Sequence, residues 1–377
     1  MNKESERYRM RKVLILMGRY LPGHKDGGPL RTIINVTEAL GDEYEFFIAC
    51  LDRDHGDTEP YPNIVRDNWN QVGKAKVWYV SPGEFNDELI LKLAKGKDLI
   101  YLCSFYDDYG YKTLLLKRKG KIKQPVFLAS MGVFSEGALA QKALKKKLFI
   151  TGFKAIGLFK NITWSVTSEI EANDVKRVIG KNAKYIVAED LPRTNVPGRT
   201  EPQHNPMKVA FLSRISPKKN LLRAIEELQK VKSEMKFTIY GPAEDQEYWK
   251  KCQDALKELP KNVSWEYIGD IPTEKVQEVL AQSDVFFFPT LGENYGHVIF
   301  EALSVGCIPV ISDQTPWHEI PLKNAGYELP LDGDFSGVLD ELAKSNNRSQ
   351  MAENAVEVAR ERVEKNQRET GYRKIFG

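Results

Sequence analysis

The sequence predicts an α/β protein made of two tandem Rossmann-like, doubly wound domains facing each other across a cleft. Three observations carry this. Apolar runs of strand length alternate with helical patterns over 12–188, and the alternation restarts over 208–343. Between the two series, Pro192–Pro206 holds four prolines and little that is apolar, which reads as a boundary. At 377 residues the chain exceeds one typical domain and suits two. The expected division is 1–195 for the first domain, 196–206 for the linker and 207–360 for the second domain. The tail, 361–377, is expected to cross back to the first domain. Such folds bind ligands beyond the carboxyl ends of their strands, and sites favour domain interfaces.

In the first domain, Lys12–Met17 reads as a buried strand. Gly18–Gly28 is a Gly-containing loop, and Pro29 suits the first position of a helix that ends near Gly41. Further strands are expected at Glu45–Cys50, Lys76–Val80, Asp98–Cys103, Pro125–Ser130, Thr163–Thr167 and Lys184–Ala188. Ser168 with Glu171 forms a capping box that starts a helix. In the second domain the strands are Lys208–Leu212, Lys236–Tyr240, Ser264–Ile268, Val285–Pro289 and Ile308–Ser312. Helices are expected at Asn220–Val231, Ala243–Leu259, Thr273–Ser283, Val298–Leu303 and Phe335–Ala343, with a charged amphipathic helix at Gln350–Lys365. Alternation of this kind gives mostly parallel sheets covered on both faces.

Composition excludes several classes. A hydrophobic content of 42% beside 28% charged residues is that of a soluble globular chain. The net charge of +3 gives no reason to expect nucleic acid as a partner. Cys50, Cys103, Cys252 and Cys307 lie far apart without metal-like spacing, and read as reduced thiols of a cytoplasmic protein. No run approaches the roughly 18 apolar residues of a membrane span, and Met1–Arg11 has no signal-peptide core behind it.

The stretch richest in chemistry is Phe286–Ala302. A buried strand leads into a loop with Gly292 and Gly296, and a helix follows. Free N–H groups at such a helix start favour an anion, most often a phosphate. Glu293 and Glu301 suit the hydroxyls that flank a phosphate in a nucleotide sugar, as the acidic residue of a dinucleotide fold takes ribose. Two ordinary carboxylates near a helix start are the plainer reading. Arg214 and Lys219 leave the first strand of the second domain and can meet phosphate oxygens. A solvated basic loop is the alternative. Gly27 and Gly28 let the backbone approach a ligand, as a plain βα turn also would.

Together these pieces are more specific than any one of them. Glu293 and Glu301 form an E-x7-E pattern, Arg214 and Lys219 an R-x4-K element, and Gly27–Gly28 an early Gly-Gly loop. In this combination the chain resembles the retaining GT-B glycosyltransferases of family 4 from Lys12 to about Glu364, most strongly over Lys208–Pro316. The resemblance implies a sugar transfer from a nucleoside diphosphate to a saccharide or lipid-linked acceptor, in cell-surface polysaccharide synthesis. It implies that Gly27 and Gly28 pack on the donor diphosphate and that Arg214 and Lys219 neutralise it. Glu293 would hold the donor sugar's hydroxyls. Asn294, Tyr295, Gly296 and His297 would cradle phosphate, and Glu301 would accept from the ribose. Gly241, Ile268 and Gly269 would line the nucleotide. A His that many family members carry after the fourth strand of the first domain is replaced here by Cys103–Ser104. Ser104, Phe105 and Tyr106 are the acceptor-side candidates.

No metal and no cofactor besides the donor are expected, because Arg214 and Lys219 already supply positive charge. Asp52-x-Asp54 could hold a cation, but reads as a solvated acidic loop. Gln141–Lys160 interleaves lysines with apolar residues. It either docks on an anionic membrane surface, making the enzyme peripheral on the inner face, or covers the sheet with its lysines outward. Other functions on this plan are a nucleotide-sugar epimerase or hydrolase, or a nucleotide-sugar-binding protein without turnover.

Overall fold

The computed structural model describes residues 9–24, 27–135, 139, 143–199 and 203–377. It divides into two compact units. One comprises the chain up to Leu191 together with Gln367–Gly377, and the other is Pro192–Asn366.

The first unit opens with β1 (Arg11–Leu16), α1 (Gly28–Leu40) and β2 (Tyr44–Leu51). Two strands the periodicity treats differently follow, β3 (Trp69–Val72) and β4 (Ala75–Val80). β3 is missed by the sequence reading because its WNQV is too polar to read as apolar. It is an edge strand pairing antiparallel with β4, while every other pairing in this sheet is parallel. Then come α2 (Asp87–Ala94), β5 (Leu99–Leu102), α3 (Asp108–Arg118), β6 (Val126–Ala129), α4 (Ala143–Ala155), β7 (Thr163–Val166), α5 (Glu169–Val178) and β8 (Tyr185–Val187). The sheet order is β3-β4-β2-β1-β5-β6-β7-β8. Its direction of winding therefore reverses between β1 and β5, and a crevice opens at their carboxyl ends. Val13–Leu16 are fully buried because both faces of the sheet are covered.

The second unit holds β9 (Met207–Leu212), α6 (Leu221–Leu228), β10 (Met235–Tyr240), α7 (Gln246–Leu256), β11 (Val263–Gly269), α8 (Val276–Ala281), β12 (Val285–Phe288), α9 (His297–Ser304), β13 (Ile308–Ser312), the single turn α10 (Glu319–Leu322), β14 (Tyr327–Leu329) and α11 (Phe335–Lys344). The order is β11-β10-β9-β12-β13-β14, all parallel, so the reversal falls between β9 and β12. Phe286, Phe287 and Phe288 are fully buried in this unit's core.

Arg199 and His204, within the proline-rich stretch, are tied to the second unit. Asp284, fully buried at the start of β12, accepts hydrogen bonds from Arg199 Nη2 (2.9 Å), His204 N (3.0 Å) and Lys208 N (2.8 Å). A buried carboxylate needs such partners to remain inside. The final helices are α12 (Arg348–Arg368) and α13 (Gly371–Phe376). α13 places Tyr372, Ile375 and Phe376 in the first unit's core beside Phe46 and Tyr101.

Candidate functional site

The loops after β9 and β12 stand side by side at the second unit's point of reversal. Their backbones are stitched together. Leu291 N donates to Lys218 O (2.9 Å), and Asn220 Nδ2 donates to Pro289 O (2.8 Å). Asn220 can serve here because Asn tolerates its left-handed φ of 60° better than most residues. The stitching brings Lys219 to Glu293: Nζ lies 2.5 Å from Oε1, with the two side chains only 18% and 11% exposed. Thr290 Oγ1 lies 3.1 Å from the same carboxylate oxygen. Burial lowers the Lys219 pKa, and the adjacent Glu293 carboxylate opposes that shift; the neighbouring charges of Lys218 and Arg214 lower it further.

Glu293 is held from behind as well. Its N–H donates to Gln314 O (3.0 Å), which fixes the loop against the segment after β13. Gly296, left-handed at φ 79°, starts α9, whose first turn has no acidic residue and no side-chain cap. Its opening N–H groups are thus an anion site in the making. Tyr295 is buried under Trp317, which donates from Nε1 to Tyr295 O (2.5 Å). His297 is buried against Tyr295, with ring centroids 4.8 Å apart, while Asn294 is exposed.

Glu301 sits one turn into α9 and is 2% exposed. Arg193 Nε lies 3.5 Å from its Oε1, and Arg193 Nη2 donates to Thr273 O (2.8 Å). Sequence reasoning missed Arg193 because it belongs to a stretch that reads as linker. Thr290 and Trp317 were also missed, since both act through contacts that no spacing encodes.

Gly241 ends β10 with φ 122°; a Cβ there would sit 1.9 Å from Ser213 O. Its N–H donates to Gly269 O (2.7 Å), so the carboxyl ends of β10 and β11 are joined. Gly269 is left-handed at φ 89°, and Ile268 is exposed. Arg214 is exposed, 3.8 Å from an equally exposed Glu244.

In the first unit, Gly27 takes φ 63° at the start of α1, and a Cβ on Gly27 or Gly28 would meet nothing within 4 Å. Ser104 lines a cavity of about 400 Å³ at the ends of β1 and β5. Phe105 does not reach it. At 1% exposure it is a core residue, stacked on Phe134 and edge-on to Trp164. Tyr106 packs between Phe105 and Phe149.

Two further expectations change. The Asp52-x-Asp54 carboxylates are buried, not solvated. Burial would raise the Asp52 pKa, but hydrogen bonds from Arg53 and Ser81 outweigh it and hold the group below the usual range. Asp54 accepts from the backbone N–H of His24 and of His55. These are loop-fixing carboxylates, and no cluster of three metal-ligand side chains occurs among the described residues. Of Gln141–Lys160, Gln141 and Lys142 lie outside the described residues. Within the remainder, Ile150 and Leu158 are buried, and Phe149, Phe153 and Phe159 pack on the core. Leu144 and Leu148 stay 72% and 65% exposed. No described helix is long and apolar enough to cross a membrane.

Residues 193–358 match the family model for glycosyl transferases group 1. The match covers the second unit's strands and every residue expected above to meet the donor except Gly27 and Gly28. Comparison with curated protein sequences gives no match. Among solved structures, the chain is similar to HepE from Anabaena in complex with UDP and glucose, at 15% identity and a TM-score of 0.70 over 94% of this chain and 95% of that one. It is similar to sucrose-phosphate synthase from Thermosynechococcus elongatus (15% identity, TM-score 0.69, 94% of each chain). It is also similar to a glycosyltransferase from Rickettsia africae (13% identity, TM-score 0.65, 95% and 94% of the two chains). The chain has the GT-B fold.

Proposed function

We propose that this protein is a retaining, metal-independent glycosyltransferase of family 4 that moves a sugar from UDP or GDP to a saccharide or lipid-linked acceptor in cell-surface polysaccharide synthesis. The observation that carries the reading is the Lys219–Glu293 pair set beside the open start of α9, where the second unit's winding reverses. One cation, one carboxylate and a row of N–H groups are what a nucleotide sugar's diphosphate and sugar hydroxyls require. The group 1 match over this unit, and the UDP and glucose bound by the Anabaena protein, support the donor class.

In this reading Lys219, Arg214 and the first N–H groups of α9 stabilise the leaving diphosphate. Glu293 orients the sugar, and Glu301 accepts from the ribose. The anomeric carbon–oxygen bond to the diphosphate breaks as the acceptor oxygen attacks from the same face. The released diphosphate oxygen takes the acceptor's proton. No carboxylate nucleophile is needed, which accords with Glu293 being held by Lys219 and Thr290. Charge neutralisation by Lys219 and Arg214 also removes the need for a metal.

The membrane reading narrows to one face of α4. Leu144 and Leu148 lie one turn apart on it, flanked by Lys145 and Lys147, while the helix's aromatic residues face the core. Flotation with vesicles containing anionic lipid tests it, and a Leu144→Ser, Leu148→Ser variant is expected to stay in the soluble fraction.

The experiment for the main reading is incubation with UDP- and GDP-sugars and an acceptor panel, with and without chelator, followed by NMR of the product's anomeric proton. Acceptor-dependent transfer with retained configuration, unaffected by chelator, supports it. Inverted product or abolition by chelator removes the finer claims. Nucleotide binding without transfer favours a binding protein.

A further inference from the structure

The loop after β13 holds the loop after β12 at three points. Ser312 Oγ donates to Thr290 O (2.5 Å), Glu293 N donates to Gln314 O (3.0 Å), and Trp317 Nε1 donates to Tyr295 O (2.5 Å). The third bond falls on the residue just before Gly296, where α9 begins.

A planar trans peptide points its C=O and its N–H in opposite directions. The Tyr295 carbonyl and the Gly296 N–H belong to one such peptide. With the carbonyl turned onto Trp317, the Gly296 N–H is turned away from it. Gly296 is buried, yet this N–H has no acceptor among the described residues. Buried N–H groups are rarely left so, and an anion at the helix start supplies the missing acceptor.

Trp317 is itself well fixed. It is fully buried and stands edge-on to Tyr295, with ring centroids 5.4 Å apart. The Arg362 guanidinium of α12 lies over the indole, 4.5 Å from its centre, and pairs with Glu319 at the start of α10. A cation over an indole face is held by the ring's quadrupole. Phenylalanine at 317 would fill most of the same space but leave Tyr295 O without its donor.

We propose that Trp317 is a positioning residue for the donor diphosphate. Its indole N–H sets the Tyr295–Gly296 peptide so that the Gly296 N–H faces the anion, and Arg362 holds the indole in place. The proposal rests on the donor reading for the identity of that anion.

The test compares the full chain with Trp317→Phe and Arg362→Met. UDP, uridine, GDP, guanosine and pyrophosphate are titrated into each by ligand-observed NMR, with urea unfolding on the same samples. Trp317→Phe should lower the ratio of nucleoside diphosphate to nucleoside affinity about tenfold, the weight of one charge-assisted hydrogen bond. Its nucleoside affinity should stay within about twofold of the parent's, because the nucleoside does not reach the start of α9. Arg362→Met should lower the same ratio by a smaller factor. An unchanged ratio in a folded Trp317→Phe, or an equal loss for nucleoside and diphosphate, would overturn the proposal. Where Trp317→Phe does not fold, Arg362→Met decides, and an unchanged ratio there overturns it. Failure of the parent to bind UDP and GDP would instead count against the donor reading, and pyrophosphate then decides this one. Binding of pyrophosphate about tenfold weaker in Trp317→Phe than in the parent supports it; equal binding, or none by the parent, overturns it.

Discussion

Lys219 Nζ lies 2.5 Å from Glu293 Oε1, so the cation expected to meet the diphosphate and the carboxylate expected to meet the sugar hold each other. A donor must exchange this pair for two new partners, phosphate for the lysine and hydroxyls for the glutamate. Burial lowers the Lys219 pKa, while Glu293 works to raise it. Glu293→Gln removes the raising influence. The charged lysine is then lost at lower pH, and the alkaline limb of UDP or GDP affinity should move down the pH axis relative to the parent. Calorimetric titrations between neutral pH and pH 10 read this directly. An unmoved limb would mean that Lys219 does not carry nucleotide binding.

Arg193 is expected to position Glu301 through their 3.5 Å contact. If Glu301 accepts from ribose, the parent should prefer UDP over its 2′,3′-dideoxy analogue. A charge-assisted hydrogen bond of about 1.5–3 kcal/mol makes that preference roughly tenfold to a hundredfold. Glu301→Ala should erase it, and Arg193→Ala should reduce it while leaving affinity for the dideoxy analogue nearly unchanged. A general loss of affinity for both nucleotides would assign Arg193 a purely structural role.

Gly241 is a third test, because its φ of 122° and the 1.9 Å approach to Ser213 O leave no room for a side chain. Gly241→Ala should destabilise the protein by more than about 1 kcal/mol and displace the loop that carries Arg214. Urea unfolding and nucleotide affinity should fall together. A variant of parental stability would show that the loop yields at no cost.

Asp190 links the end of the first unit's last strand to α13. Burial pushes its pKa up to about 7, against hydrogen bonds from Thr32 and Tyr372 that lower it. The folded value exceeds the unfolded one, so Asp190 favours folding at acid pH, and that contribution is lost as pH rises through 7. Asp190→Asn should therefore raise Tm more at pH 8 than at pH 5. Equal shifts at both pH values would show that ionisation of Asp190 is not the cause.

Strand runs such as Val285–Phe288 were legible because a strand buried on both faces must be apolar throughout. The polar edge strand Trp69–Val72 was not, for the same reason inverted. On the site, Glu293 and Lys219 could be named from spacing, since both follow strand ends at one point of reversal. Their 2.5 Å pairing could not, because it depends on how Asn220 and Thr290 close two loops together. Phe105 misled, since an aromatic residue after a strand reads alike whether it faces a ligand or the core. Asp52 and Asp54 misled in the same way. A D-x-D spacing does not reveal that Arg53, Ser81 and backbone N–H groups already occupy both carboxylates.

The central claim is that Glu301 and Glu293 serve the two ends of one nucleotide-sugar donor. The most direct measurement compares nucleotide affinity and sugar transfer in Glu301→Ala and Glu293→Ala beside the parent. Glu301→Ala should weaken UDP or GDP binding, whereas Glu293→Ala should keep nucleotide affinity and lose transfer. Parental affinity and parental turnover in both variants would contradict the claim and leave the E-x7-E stretch as the start of a helix.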